Sequence, residues 1–233
     1  MTLISSRVGL LAMVAAVSGC GLISSDVTDF DIALNKDFAI DTGTYQVDQA
    51  SATALLSTSC TSMPTACMTG ASNVCPMDCT GTCAASGTCE LDLDVSLYQM
   101  VDLLNDQSQL KAFNDRPIIK VTIDTVTFSV AMNTLNVATP AMDVYVAPMS
   151  IMDPKDSMAK KIGTIPAVAA GATPTDSEVQ FTATGKQDLI ATMGMFKTPF
   201  NVLVGTTLVV TNGTPVPMGK LDGTVRIIGH AGL

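Results

Sequence analysis

The sequence has no tryptophan, one histidine and few charges: of 233 residues, 14% are charged and 4% are aromatic. A single imidazole leaves little material for multi-histidine metal sites or for acyl transfer by a nucleophile–histidine pair. Cations are scarcer than anions, 12 Lys and Arg against 21 Asp and Glu, for a formal net charge of −9. A nucleic-acid partner needs clustered Lys and Arg, so none is expected. No run reaches eighteen consecutive apolar residues, so no transmembrane helix is predicted. There is no C-x-x-C pair, no G-x-S-x-G elbow and no glycine-rich phosphate loop. The motifs of zinc ribbons, dithiol redox centres, c-type haem attachment and α/β-hydrolases are therefore missing.

What the chain does have is apolar content, 47% of residues, and seven cysteines. The first places it among folded proteins rather than disordered acidic tails. The second is an odd number, and an unpaired thiol is a liability in an oxidising compartment.

The N-terminus accounts for one of the seven. Arg7 supplies a positive start, and Val8 to Val17 is an uncharged run of signal-peptide length, too short to span a bilayer. It ends in Val17-Ser18-Gly19-Cys20. That tetrapeptide resembles the lipobox of bacterial lipoprotein precursors, with Val17 where Leu is usual. The resemblance covers residues 1–20 only. It implies a signal peptide over 1–19, diacylglycerol on the Cys20 thiol, cleavage before Cys20 and a lipid-anchored tether over 20–27. The partner so implied is the membrane, reached through lipid on Cys20, in a bacterial cell envelope. Gly21, rather than Asp, follows the cysteine and favours the outer membrane over the inner. From Cys20 to Val27 the tether reaches about 20 Å, which keeps the domain near the lipid surface.

The other six cysteines are Cys60, Cys67, Cys75, Cys79, Cys83 and Cys89. The segment between them is rich in Ser, Thr, Gly and Ala and poor in large side chains, so its own burial cannot offset its ordering entropy. Three disulfides are the expected remedy, and fifteen pairings remain open. Cys75, Cys79 and Cys83 have helical spacing, but Pro76 and Gly81 argue against a helix there.

Elsewhere the pattern is β. Phe30, Ile32 and Leu34 alternate with polar residues, as do Leu91, Leu93 and Val95, and short strands are expected at 38–40 and 45–47. Residues 50–59 read as a short helix. Leu97, Met100, Val101 and Leu104 recur at three and four, which predicts an amphipathic helix, with a second short helix near Leu110 and Phe113. Ile119 to Met132 reads as a long strand with a phase slip at Asp124-Thr125. Further strands are expected at 143–147, 161–165, 178–184, 200–210 and 221–228. Pro, Asn212-Gly213 and Asp222-Gly223 punctuate them. The fold class expected is mainly β: an antiparallel β-sandwich, Ig-like or jelly-roll-like, with one short amphipathic helix and a disulfide-rich insert. A single domain over 28–233 would contain the insert at 60–89.

Candidate chemistry is sparse. His230 lies in the C-terminal Gly229-His230-Ala231-Gly232 and reads as an exposed tail residue, because termini fray. Asp92 and Asp94 share the polar face of a strand, where a solvated surface is the simpler account than a glycosidase pair. Asp26, Asp29 and Asp31 offer oxygens for calcium but no loop motif accompanies them. Fourteen methionines, with Met193-Gly194-Met195 as a local pair, read as adaptable core and loop filler rather than a copper site. The function expected is a non-enzymatic envelope lipoprotein with a β-sandwich binding or structural domain, without catalytic residues, metal or cofactor. Its partner would be a protein or glycan. The alternatives are an envelope hydrolase using Asp carboxylates and a carrier of a hydrophobic ligand or metal ion.

Overall fold

A computed structural model describes residues 29–75, 79–116 and 119–232. The leader over 1–19 and the whole tether over 20–27, with Cys20 and Asp26, lie outside these described residues.

Ten strands form two antiparallel sheets. In chain order they are β1 (Phe30–Asp41), β2 (Cys79–Cys83), β3 (Cys89–Val101), β4 (Lys120–Asn133), β5 (Met142–Pro148), β6 (Lys160–Ile165), β7 (Ser177–Glu178), β8 (Gln180–Phe181), β9 (Phe200–Val210) and β10 (Lys220–Gly232). The helices are α1 (Gln49–Leu56), α2 (Thr65–Val74), the single turn α3 (Leu103–Asp106) and α4 (Gly185–Gly194). One sheet runs β1-β10-β4-β7 and the other β2-β3-β9-β5-β6-β8. The chain is a β-sandwich with a disulfide-rich insert, as its alternation predicts.

The strands form because apolar residues recur every second position and pack between the sheets. Ile32, Leu34, Phe38 and Ile40 of β1 are buried while their neighbours face outward. Leu91, Leu93 and Val95 of β3 and Val202, Val204 and Leu208 of β9 fill the core from the other side. Each such side chain contributes roughly 1.5–3 kcal/mol on full burial.

The phase slip in β4 is a bulge. Thr125 pairs with Ile228 and Ile123 with Gly229, so Asp124 is the extra residue. A second slip sets Met132 and Val130 opposite Asp222 and Gly223. Asp222-Gly223 is thus inside β10 rather than between strands. Gly223 is needed there by close approach: a Cβ on it would stand 2.4 Å from Cζ of Phe128.

Several local expectations are corrected. Residues 38–40 belong to one uninterrupted β1, and Tyr45–Val47 is not a strand, since Thr42–Tyr45 forms a 3-10 turn. Of the helix expected from Leu97 to Leu104, Leu97–Val101 is the end of β3, whose ladder to β9 runs from Leu91↔Val210 to Val101↔Phe200, and only the single turn α3 is helical. The strand expected over 178–184 is only the fragments β7 and β8, and α4 follows it. The short helix near Leu110 is a 3-10 helix over Ser108–Phe113.

The sandwich has two unlike ends. β1 begins, β4 begins and β10 finishes at one end, where Phe30 pairs with Ala231 and Lys120 with Gly232. At the other, Asp41 pairs with Lys220. The insert packs at this second end: Asp48 N–H donates to the Val74 carbonyl (3.0 Å), and Gln49, Thr53 and Leu56 of α1 border the 212–218 loop. The twelve residues of β1 separate the ends by about 40 Å.

Candidate functional site

The six cysteines of the insert pair as Cys60–Cys83, Cys67–Cys89 and Cys75–Cys79. Together they clamp α2 to the β2–β3 hairpin: one bond before the helix, one within it and one from its C-cap to the start of β2. The helix needs this. It reads TACMTGASNV, has Pro64 at its N-cap with no side-chain cap, and is too short and too weak in propensity to persist alone. Helix and hairpin also approach too closely for a side chain at Gly81, where a Cβ would lie 2.1 Å from the Cys67 carbonyl oxygen. Cys79 and Cys83 lie in β2 rather than a helix, in line with the Gly81 signal.

The sulfurs of Cys60, Cys67 and Cys89 lie within 4.8 Å of one another because two disulfides stack. Metal binding needs thiolates, and all three sulfurs are oxidised.

The outer face of the six-stranded sheet carries a shallow polar groove of about 270 Å³, bordered by Ser96, Asp143, Tyr145, Lys155, Thr206 and Thr207. Asp94 beside it is held by Lys155 Nζ (2.6 Å) and Thr207 Oγ1 (2.9 Å). Asp143 takes Lys161 Nζ (2.7 Å) and Thr164 Oγ1 (3.0 Å). Burial, then the Asp143 charge, raises the Tyr145 phenol above its ordinary value. Asp92 is raised as well, first by burial and then by Glu90, against a hydrogen bond from Thr82 that lowers it. Glu90, Asp92 and Asp94 alternate along one strand and share one face. They do not oppose each other across a cleft, which is the geometry acid–base hydrolysis requires. The partners of Asp94 and Asp143 come from distant loops and strands, and no sequence signal marked Lys155 or Tyr145.

His230 is not a frayed tail residue. β10 lies between β1 and β4, and its last residues are fully paired. Nδ1 of His230 is 2.9 Å from Asp31 Oδ1, and Nε2 is 2.9 Å from Asp124 Oδ2 on the bulge. A histidine serving a nucleophile keeps one ring nitrogen for it, and here both face carboxylates. Asp31 is paired with His230, and Asp29 is exposed.

The methionines are mostly outside. Among the described residues Met142 and Met193 are buried, while nine of the eleven exposed large hydrophobic side chains are methionines. Core filling is therefore the minor role. Met193 is fully buried and Met195 is 49% exposed, so this local pair shares no face. Met195 and Met158 border an apolar cleft of about 410 Å³, with Pro148, Pro199, Phe200 and Lys160. Ser157 also lines it, and Ser157-Met158-Ala159-Lys160 has an S-x-x-K spacing that sequence reading missed. That segment is a turn entering β6, and Lys160 Nζ donates to Asp188 Oδ1 (3.3 Å) rather than to the serine. No helix among the described residues is long and apolar enough to cross a membrane. The sequence matches no protein-family model and no curated protein.

Proposed function

We propose that the protein is a non-enzymatic lipoprotein of a bacterial envelope, with the outer membrane favoured over the inner, and that its β-sandwich presents the disulfide-clamped insert to a protein or glycan partner. The observation that carries this reading is the cysteine ledger. Three disulfides consume all six insert cysteines, and the seventh is Cys20, in the lipobox-like Val17-Ser18-Gly19-Cys20. An oxidised, exported protein has no use for a stray thiol, whereas a lipidated one has no stray thiol. Two or more acyl chains hold a domain effectively permanently, since each buried CH₂ contributes about 0.8 kcal/mol.

The layout of the domain supports the display role. β1 begins at Phe30 at one end of the sandwich, and the insert packs some 40 Å away at the other end. An anchor at Cys20 would leave the insert facing away from the lipid. The bonds that stiffen it reduce the ordering entropy lost on binding.

The test is mass spectrometry of the mature protein from a bacterial envelope. The expected N-terminus is Cys20 carrying diacylglycerol. An unmodified Cys20, or an N-terminus at another residue, overturns the reading. Envelope crosslinking from probes placed at Thr61 and Ser72 of the insert should then capture a partner that probes at Lys120 do not.

A further inference from the structure

The apolar cleft beside α4 has the build of a small-molecule site. Pro148 ends β5 and Phe200 begins β9; the two are paired and form its base. One wall is the turn entering β6, with Met158, and the other is the stretch linking α4 to β9, with Met195 and Pro199. Its volume of about 410 Å³ lies at the small end of the range for ligand sites, which are typically apolar with a few placed polar groups. Both walls are held by bonds of their own. Met158 N–H donates to Asp156 Oδ1 (2.7 Å), Thr192 Oγ1 to the Asp188 carbonyl (2.8 Å) and Thr198 N–H to the Met195 carbonyl (2.8 Å). The cleft is therefore preformed, which lowers the ordering cost of binding. Its two half-exposed methionines still adapt to an irregular apolar guest.

The polar side chains lining the cleft are one ammonium, Lys160, and three hydroxyls, Ser157, Thr192 and Thr198. No carboxylate is among the described residues that line it. Asp156 and Asp188 stand nearby, the first on the Met158 N–H and the second on Lys160, and neither lines it. Lys160 is the least tightly held of five paired lysines. Its Nζ is 3.3 Å from Asp188 Oδ1, whereas Lys36, Lys155, Lys161 and Lys220 reach their carboxylates at 2.6–2.8 Å. An ammonium carries three donors, and the Asp188 contact uses one. The cleft thus offers a hydrocarbon surface and a single cation with donors to spare.

We propose that this cleft binds a free fatty acid, with the chain against Met158, Met195 and Phe200 and the carboxylate on Lys160. A fatty acid supplies both halves of the complement: an apolar body and one anion. The small volume suits one acyl chain rather than the two of a phospholipid. A neutral apolar guest would use the walls and leave Lys160 idle, while a carboxylate gains a charge-assisted hydrogen bond from it. Asp188 competes with the guest for the same ammonium, so the two neighbouring residues have opposite effects on binding. The site is separate from the insert and does not depend on lipid at Cys20.

The experiment is photolabelling of the full chain, in the fraction of the producing cells that holds it, with a diazirine analogue of decanoic acid. Peptide mapping should place the label within residues 157–160 and 195–200. Unlabelled decanoate should compete, and decanol at the same concentration should compete several-fold less well. Lys160→Gln should lower the labelling several-fold, and Asp188→Asn should raise it. Lys186→Gln, a change of the same charge on α4 at a residue that does not line the cleft, should leave it unchanged. Melting temperatures equal to the parent's show that each variant is folded. Competition by decanol equal to that by decanoate, labelling indifferent to Lys160→Gln, or label placed elsewhere overturns the proposal. So does a cleft that takes no label, the result expected if a second copy or another protein covers it. The mass of the Cys20 peptide, read in the same digest, tests the lipoprotein reading separately.

Discussion

Cys83 and Cys89 stand directly opposite each other on β2 and β3, yet each is bonded elsewhere, Cys83 to Cys60 and Cys89 to Cys67. A direct cross-strand bond would tie only a hairpin that its own ladder already closes. The observed bonds instead reach out of the hairpin and bring α2 down onto it. The loops they close span 23 and 22 residues, against 4 for Cys75–Cys79. Loop-closure entropy then gives about 3 kcal/mol for each long loop and about 2 kcal/mol for the short one. Cys67→Ala with Cys89→Ala should lower stability by about 3 kcal/mol, and Cys75→Ala with Cys79→Ala by less. Non-reducing denaturant titrations measure both, and equal losses would contradict the clamp.

Gly81 tests the same clamp without touching sulfur. A Cβ at this position collides with the Cys67 carbonyl and with Cβ of Ala71, 2.9 Å away, so the helix must lift from the strand. Gly81→Ala should cost about 2 kcal/mol or more and slow correct oxidation, since Cys67 and Cys89 no longer meet in register. Thiol mapping during oxidative refolding should show free or mispaired Cys67. Gly213→Ala is the control: no atom lies within 4 Å of its Cβ, and only the positive φ of 84° is strained, so about 1 kcal/mol is expected.

These same residues show where the sequence is legible. β9 is read from Phe200 to Val210 because apolar residues fill it and Pro199 and Asn212-Gly213 bound it. The β4 bulge is visible as a slip in phase. The end of β3 is not, because Gln99 occupies an inward phase while Tyr98 and Met100 are exposed apolar residues on the outer one. Apolar spacing then imitates a helix, and the ladder to β9 decides otherwise. α2 and α4 escape notice for a different reason. α2 is made of weak helix formers held by disulfides, and α4 starts at Gly185, where a Cβ would lie 1.8 Å from the Ile162 carbonyl oxygen. The Asp31–His230–Asp124 array and the disulfide pairing join residues far apart in sequence, so only the sheet order reveals them.

Asp92 should weaken the fold at neutral pH. Burial and the adjacent Glu90 raise its folded-state pKa above the ordinary carboxylate value of 3.8. The protonated acid is therefore favoured by the fold, and its stabilising contribution is present at pH below 3.8 and lost as pH rises through the raised value. Asp92→Asn should raise stability at pH 7 by about 0.5 kcal/mol, a small amount because the group is largely solvated. This corresponds to about 1–2 °C in Tm. Thermal melts of both proteins at pH 7 and at pH 3 check the sign: the gain should disappear at the lower pH.

Asp41 behaves in the opposite sense. The Lys220 ammonium at 2.6 Å, then the Gly43 N–H, hold its carboxyl below the ordinary value. Its contribution is present above pH 3.8 and is lost as pH falls through the depressed value. Asp41→Asn should therefore lower stability at neutral pH and make the acid limb of the profile shallower, the two proteins converging as pH falls below 3.8, with no change between pH 6 and 8 in the shape of the curve. A pH series of melts distinguishes this from Asp92→Asn, whose effect runs the other way.

Asn201 controls the loop between β5 and β6 that borders both the polar groove and the apolar cleft. It is buried, and its Nδ2 donates to the carbonyls of Met149 (3.0 Å) and Ile151 (2.7 Å). From that clasp the loop runs over the sheet. Pro154 lies over Gly205, where a Cβ would stand 2.8 Å from it, and Lys155 reaches Asp94. Met158 then borders the cleft. Asn201→Ala removes both donors and leaves two carbonyls without them, a loss of about 2 kcal/mol. Because the loop has few other anchors, part of that loss should appear as local opening rather than global unfolding. Limited trypsinolysis reads it directly. The native protein should resist cleavage at Lys155, the variant should be cut there at least several-fold faster, and Asn201→Gln should not restore protection, because its longer side chain does not fit the same buried space.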